Sequence, residues 1–206
     1  TYTVGTSFYI NQKHKEASSY LEKSLKLAES LSVNVKSKYQ KRIIWKLGMA
    51  YSKSGRRQEA ILLIKELINM VEQEYKRDYQ KQRPFYNIDS YRIQYYSFMI
   101  SNLDLLTPKE ENDYWKRILL IGKKLTNDFD KYNYYLCANN YYTNSRTQKD
   151  LSKAIAANDT LIKIAKILAP QNLPGLLNTV SLLYEKQKDY PNALKYYKNS
   201  HYIQDS

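Results

Sequence analysis

The side chains that most often carry out chemistry are few in this chain, and they lie far apart in sequence. The two histidines, His14 and His201, lie near opposite ends of the chain, and neither has an obvious metal-binding neighbour. Cys137 is the single cysteine, which excludes an internal disulfide and any multi-cysteine metal site. We therefore expect both histidines at the surface, Cys137 as a core thiol rather than a nucleophile, and no cofactor or metal.

Glu110 and Glu111 are adjacent carboxylates, but their position gives them a structural interpretation. Thr107-Pro108-Lys109-Glu110 has the pattern of a capping box with proline at the first helical position. Acidic residues in the first turn of a helix are stabilised by the helix dipole. The sequence also lacks a glycine-rich phosphate loop, a G-x-S-x-G elbow and an H-E-x-x-H motif. We therefore predict that the chain is not an enzyme.

Composition and charge narrow the class of protein further. The 206 residues are 43% hydrophobic and carry a net charge of +13. No helix-turn-helix, RNA-recognition or zinc-finger pattern accompanies this charge, so we interpret it as a solvated surface and expect no nucleic-acid binding. No apolar run of about 18 residues is present, so any membrane contact is expected through segments outside this sequence. The chain begins at Thr1 without a signal-peptide pattern, and we interpret it as part of a longer protein.

The apolar residues recur at the spacing of amphipathic helices. Leu21, Leu25, Ala28 and Leu31 lie three or four positions apart, and the same spacing continues along most of the chain. Alternation typical of strands is absent over any useful length. The sequence therefore predicts an all-α fold.

Small residues recur in a frame that indicates an internal repeat. The first helices of successive copies carry small anchors 41 to 49 residues apart, at Gly5, Gly48, Ser97, Ala138 and Ser181. Ala17, Ala60 and Ala193 supply a second small residue in three of the copies. Two small residues that face each other let the helices of a hairpin approach closely. For the other two copies we predict second helices at about 108–127, with Trp115 and Ile118 inward, and about 147–169, with Ala157 and Leu161 inward.

This frame resembles that of the tetratricopeptide repeat (TPR). The resemblance implies a right-handed α-solenoid of about five helical hairpins, at about 1–31, 34–77, 84–127, 129–169 and 173–203, in a single repeat domain. The usual period is 34 residues, so the longer spacing predicts lengthened helices or longer turns. The first helices are expected to line a concave groove.

Tyrosine and asparagine provide the candidate ligand-binding groups. The chain has 22 tyrosines, several in adjacent pairs, and we expect one tyrosine of each pair in the core and the other on an exposed face. Asparagine amides can bond a peptide backbone, and arginine can bind a carboxylate. The groove is therefore predicted to bind a protein, a peptide or a small polar ligand. Helical phase assigns to it Arg42, Trp45, Met49, Arg92, Tyr95, Met99, Asn139, Tyr142, Asn178 and Leu182.

The last repeat carries a more specific resemblance. It runs from Tyr184 to Lys198, contains Ala193-Leu194-Lys195-Tyr196-Tyr197-Lys198, and the chain ends on Asp205-Ser206. This stretch resembles the final repeat of the extracytoplasmic sensor regions of Bacteroides-type membrane histidine kinases. The resemblance implies a periplasmic sensor domain of a two-component system, whose final helix, 190–203, passes a signal to a membrane helix. Some relatives of that group end in a DNA-binding regulator module instead.

Two other functions remain open at this point. One is a cytoplasmic TPR adaptor or scaffold that binds partner peptides, and the other is the sensing part of a TPR-containing transcription regulator. A single cysteine fits the cytoplasm and the periplasm equally. The sequence also leaves a homodimer open. Flanking sequence would discriminate, because a signal peptide upstream and an apolar run of about 20 residues downstream favour the sensor.

Overall fold

The computed structural model describes residues 1–31, 33–80, 88–146 and 149–204, and these are helical with no strand. The predicted all-α fold is confirmed. The chain divides into two compact units, Thr1–Ile88 and Asp89–Ser206. The ten helices of the described residues are α1 Tyr2–Ile10, α2 His14–Glu29, α3 Val33–Lys53, α4 Arg57–Gln80, α5 Ile88–Ile100, α6 Pro108–Gly122, α7 Asp128–Asn144, α8 Leu151–Leu168, α9 Leu173–Lys186 and α10 Tyr190–Gln204.

Side-chain caps set where several helices begin. The predicted capping box of α6 is confirmed, because Thr107 accepts from the Glu110 backbone N–H and the Glu110 carboxylate accepts from the Thr107 N–H. Asp150 caps α8 by accepting from the backbone N–H of Lys153. Asp189 accepts in the same way from Asn192 at the start of α10. α8 therefore begins later than the predicted 147, and residues 147 and 148 lie outside the described residues.

The long repeat spacing has two causes in the structure. α3 and α4 are long, at 21 and 24 residues. The connection from α5 to α6 is extended by a 3-10 turn at Leu103–Leu105. The five hairpins are therefore α1–α2, α3–α4, α5–α6, α7–α8 and α9–α10. Their assignment to a single repeat domain stays a prediction, and so does the handedness of their stacking. The predicted start of the third hairpin, at 84–87, and the last two residues, 205–206, lie outside the described residues.

Glycine permits close helix contact in the first unit. A Cβ placed on Gly5 would lie 2.9 Å from Leu21 Cγ, and one placed on Gly48 would lie 2.8 Å from Ile64 Cδ1. Leu21 and Ile64 are fully buried. The predicted small residues Ala17 and Ala60 are fully buried as well. The small anchors of the first two copies therefore have the packing role that the sequence predicts.

In the second unit the anchors are joined by polar and aromatic contacts. The Ser181 hydroxyl donates to the Ala193 carbonyl oxygen at 2.8 Å, which joins α9 to α10. Trp115 of α6 stacks on Tyr141 of α7 with ring centroids 4.3 Å apart. Trp115, Ile118, Ala157 and Leu161 are buried, so their predicted inward positions are confirmed.

The expectation for the tyrosine pairs holds only in part. Tyr196 is half-buried and Tyr197 exposed, but Tyr95 and Tyr96 are both buried. α5 is buried around most of its circumference, at Ile93, Tyr95, Tyr96, Phe98, Met99 and Ile100. The neighbouring elements cover both sides of α5 at this point, so the two tyrosines are buried together although Tyr91, one turn earlier, is exposed.

Candidate functional site

The ten predicted groove residues differ widely in exposure. Arg42, Trp45 and Met49 belong to the first unit, and Arg42 is exposed while the other two are half-buried. In the second unit Asn178 and Leu182 are exposed and Tyr142 is half-buried. Ligand binding by these residues stays a prediction.

Three of the predicted groove residues are buried in the second unit. Tyr95 and Met99 lie in the enclosed helix α5 and are 5% and 0% exposed. Asn139 of α7 is also buried, and its Oδ1 accepts from the Asn158 Nδ2 of α8 at 2.6 Å. The exposed position expected for these three side chains is wrong. Helical phase places a residue on a face of its helix, but it does not show which faces the neighbouring helices cover.

Arg92 is largely held within the protein by an ion pair. Its guanidinium lies 2.8 Å from the Asp89 carboxylate one turn earlier in α5, and only 12% of the Arg92 side chain is exposed. An arginine that is paired in this way must give up or share its carboxylate partner to bind a ligand carboxylate.

A cleft of about 310 Å³ lies between the end of α5 and the end of α7. We call it the α5–α7 cleft. Its apolar floor contains the buried side chains of Ile100 and Leu103. Its polar lining is Ser101, Asp104, Asn140, Asn144 and Arg146.

Arg146 joins the two walls of the α5–α7 cleft. Its Nη2 donates to the Leu103 carbonyl oxygen at 3.1 Å and also to the Leu106 carbonyl oxygen, so the α5–α6 connection is tied to the end of α7. The Arg146 Nε lies 3.6 Å from the Glu111 Oε2. Because three groups hold the guanidinium, Arg146 forms a fixed wall of the cleft at this edge.

Glu111 has a different role from the one that the sequence suggested. Glu110 is the capping residue expected in the first turn, but the Glu111 side chain is 0% exposed. Its carboxylate accepts from the Ser145 hydroxyl and pairs with Arg146. A buried carboxylate needs such partners because its desolvation is costly. The two acids therefore differ in role: Glu110 caps α6, and Glu111 is a buried link between α6 and the end of α7.

Two asparagine amides face the α5–α7 cleft from consecutive turns of α7. The Asn140 Nδ2 lies 3.5 Å from the Ser101 Oγ across the cleft, and Asn144 is exposed at the end of the helix. Each amide offers donors and an acceptor, which is the combination that pairs with a peptide group. Sequence reasoning chose Asn139 instead of Asn140. The i, i+4 spacing of Asn140 and Asn144 in the sequence was the signal that could have found this site.

Cys137 and the histidines do not form a reactive group. Cys137 is buried, and burial raises the pKa of its thiol to about 12 although the Ser97 hydroxyl acts in the opposite direction. The predicted core thiol is confirmed. His201 is exposed and lies against the Tyr197 ring, as expected of a surface residue, whereas His14 is half-buried against Tyr9.

The described residues contain no group of three or more His, Cys, Asp and Glu side chains that could hold a metal ion. In the same part of the chain, none of the helices combines the length and the apolarity that crossing a bilayer requires.

Comparison with known proteins supports the repeat architecture. A tetratricopeptide repeat family model matches residues 46–78, which include most of the α3–α4 hairpin. No curated protein sequence matches the chain. A repeat of this type indicates protein binding, and the fold typically serves as a non-catalytic scaffold.

Two solved structures are similar in fold. The crystal structure of BtubC (BKLC) from P. vanneervenii has a TM-score of 0.68 and 13% sequence identity, and the alignment covers 98% of this chain and 77% of that one. The structure described as MamA MSR-1 C2 has a TM-score of 0.52 and 17% identity, with 98% of this chain and 94% of that one covered. At such identities the similarity establishes the helical fold alone.

Proposed function

We propose that the chain is the sensor domain of a membrane histidine kinase of a two-component system, that it lies in the periplasm, and that it binds a peptide or protein segment in the α5–α7 cleft. The observation that carries the binding proposal is the pair of amides at Asn140 and Asn144 above the apolar floor of that cleft. The resemblance of the last repeat to sensor regions supports the kinase role.

An extended peptide fits the chemistry of the cleft. Its main-chain N–H and C=O groups would pair with the two asparagine amides, and an apolar side chain would lie on Ile100 and Leu103. Asp104 and Arg146 place opposite charges in the lining, so a peptide with both charges is favoured over a uniformly charged one. The fixed wall at Arg146 lowers the ordering cost of binding.

The route to the membrane would pass through the last hairpin. Ser181 of α9 donates to the backbone of Ala193 in α10, so a change in α9 is transmitted directly to the final helix. A ligand changes the kinase output only to the extent that it binds one state of the domain more tightly than the other. A substantial change needs a difference in binding free energy of a few kcal/mol.

Peptides selected from a displayed library on the purified chain provide the binding test. Asn144→Ala removes hydrogen bonds to the peptide backbone and should weaken selected peptides by about tenfold. Asn133→Ala is the matched control, because Asn133 lies on the same helix, does not line the cleft, and donates to the Phe129 carbonyl oxygen one turn earlier. If the selected peptides bind both variants and the parent chain equally, the cleft is not the binding site.

The sensor role is tested separately in the full-length protein. Replacing Ala193, which is buried beside Ser181, with leucine should separate the last hairpin and uncouple kinase output, while peptide binding at the distant cleft persists. Unchanged signalling with Ala193→Leu would contradict this route. Flanking sequence that lacks a membrane helix would contradict the kinase role and favour an adaptor.

A further inference from the structure

The second helix of the fourth hairpin, α8, has one stripe that the following hairpin covers. The stripe consists of Leu151, Ile155, Asn158 and Ile162, at successive spacings of four, three and four residues. Ile155 packs with Val180 and Leu183 of α9 in one buried cluster, and Leu151 and Ile162 pack against the same cluster. The incoming helix α9 therefore covers the three apolar residues of this stripe, whereas Asn158 is buried against Asn139 of α7.

The same four positions of α10 remain uncovered in the described residues. The start of α10 matches that of α8, because the Ala154 N–H donates to the Asp150 carbonyl oxygen and the Ala193 N–H to the Asp189 carbonyl oxygen, both at 3.0 Å. Counted from these starts, the equivalent stripe is Tyr190, Leu194, Tyr197 and His201, which we call the terminal stripe.

Exposure separates the two stripes clearly. Leu194 is 53% exposed where Ile155, which packs against α9, is 7% exposed, and Tyr197 is 47% exposed. Tyr190 and His201 are exposed as well. The residues of the terminal stripe are spaced like those of a packed helix face, but they are exposed to solvent. This combination is typical of a binding surface.

The charges around the terminal stripe select the kind of helix that fits. The α10 segment contains Lys195 and Lys198 and no Asp or Glu. On α9 the exposed Glu185 and Lys186 cancel each other. A helix with carboxylates beside its apolar face therefore complements α10, and a basic helix is repelled.

A second copy of this chain fits the terminal stripe poorly. Counted from the anchors Gly5 and Ser181, the α1 residues Val4 and Ser7 hold the positions of Val180 and Leu183, so α1 would bring a hydroxyl where α9 brings a leucine. Pairing α10 with another α10 would place lysines against lysines. Both arrangements also join two chains of net charge +13.

We propose that the terminal stripe binds an acidic amphipathic helix of a partner protein, which packs on α10 as α9 packs on α8. The partner helix carries apolar residues spaced like Leu176, Val180 and Leu183, with glutamate or aspartate on its flanks. This surface is separate from the α5–α7 cleft, and the proposal does not depend on ligand binding there.

Two labelled synthetic peptides of about 20 residues test the proposal, since that length can support a helix. Both repeat the Leu176, Val180, Leu183 spacing, and one carries glutamates on its flanks while the other carries lysines. Fluorescence anisotropy with the whole chain should show the glutamate peptide binding at least about tenfold more tightly. The preference should decrease as salt concentration is raised.

Variants of exposed residues give the controls. Leu194→Glu should weaken the glutamate peptide by about tenfold or more, whereas Leu120→Glu, at an exposed position of α6, should not. The double variant K195E/K198E should reverse the preference toward the lysine peptide, and circular dichroism checks that each variant is folded. Equal binding of both peptides, no binding of either, or self-association that Leu194→Glu abolishes would each overturn the proposal.

Discussion

The two units of the chain differ in the chemistry of several close contacts between helices. In the first unit, Gly5 and Gly48 let Leu21 and Ile64 pack closely against the opposing helix. In the second unit, equivalent contacts use the Ser181 hydroxyl, the Asn139–Asn158 pair and the Trp115 stack. The repeat frame therefore requires close approach of two helices, and it accepts either a missing side chain or a matched polar or aromatic pair.

The two kinds of contact also differ in how strongly they depend on the exact position of one helix against the other. Apolar contacts such as Gly48–Ile64 depend on volume and tolerate small shifts of one helix along the other. The hydrogen bond from the Asn158 Nδ2 to the Asn139 Oδ1 depends on the distance and angle between α7 and α8.

The largest effect is expected where an aromatic contact is removed from the second unit. Trp115→Ala deletes a buried indole that stacks on Tyr141, and it should lower the free energy of unfolding by about 4 kcal/mol. Urea denaturation measures this loss. Leu120→Ala on the exposed face of the same helix should change the value by less than about 0.5 kcal/mol. A loss below about 1 kcal/mol with Trp115→Ala would show that the stack is not a principal contact.

Replacing an anchor glycine with a large residue should destabilise the first unit by overpacking. Gly48→Leu places a side chain against Ile64 Cδ1, which lies 2.8 Å from an added Cβ, and should destabilise by about 2–3 kcal/mol. Gly175→Ala is the opposite control, because an added Cβ there meets nothing within 4 Å and alanine favours the helix by about 0.5 kcal/mol. Thermal denaturation shows whether each variant is more or less stable than the parent chain. An increase in stability with Gly48→Leu would exclude close approach of the two helices at Gly48.

The asparagine pair allows the polar contact of the second unit to be measured alone. Asn158→Leu removes the donor at 2.6 Å from the buried Asn139 Oδ1, which then accepts only the longer bond from the Thr143 hydroxyl, and should cost about 1–2 kcal/mol. Adding Asn139→Leu should recover about 1 kcal/mol, because both polar partners are then gone. A double-mutant cycle in urea gives the coupling energy. Strict additivity of the two changes would contradict a direct pair.

The smallest effect is expected at the polar link between the first two hairpins. Burial raises the pKa of Glu22, but hydrogen bonds from Tyr51 and Arg56 outweigh burial and lower it below its usual range. A lowered folded-state pKa stabilises the protein above the unfolded pKa, and this stabilisation is lost as the pH falls through the folded pKa. Because the pair is more than a third exposed, Glu22→Gln should cost under about 1 kcal/mol at neutral pH.

The same variant has a distinct pH signature. Glu22→Gln should flatten the loss of stability below about pH 4.5, where the glutamate of the parent chain becomes protonated. Urea midpoints between pH 3 and pH 7 provide the measurement. Parallel curves for the parent chain and the variant would indicate that the link does not contribute to folding.

Much of the helical framework could be predicted from the sequence because its signals are local. The capping box at Thr107 acts within one turn, and the small residues Gly5, Gly48 and Ser181 act on the next helix of the same hairpin, so their types reveal their roles. Leu21 and Ile64 follow from the helical spacing of their neighbours. These residues set the positions of helices in the way that the sequence indicates.

The candidate site was less predictable because it depends on neighbours that are distant in sequence. Asn139 and Asn140 are adjacent on α7, and only the position of α8 decides that one is buried and the other lines the cleft. The burial of Glu111 likewise depends on Ser145 and Arg146, which lie more than thirty residues away. The enclosure of Tyr95 follows from the surroundings of α5 rather than from its own pattern.

The central claim, that the α5–α7 cleft binds a peptide backbone through its asparagine amides, is tested most directly by nuclear magnetic resonance. A library-selected peptide is titrated into the isotopically labelled chain, and the side-chain amide signals of asparagine are followed. We expect the Asn140 and Asn144 signals to shift with saturation while the Asn133 signal does not. Saturable binding that shifts neither Asn140 nor Asn144 would contradict the account.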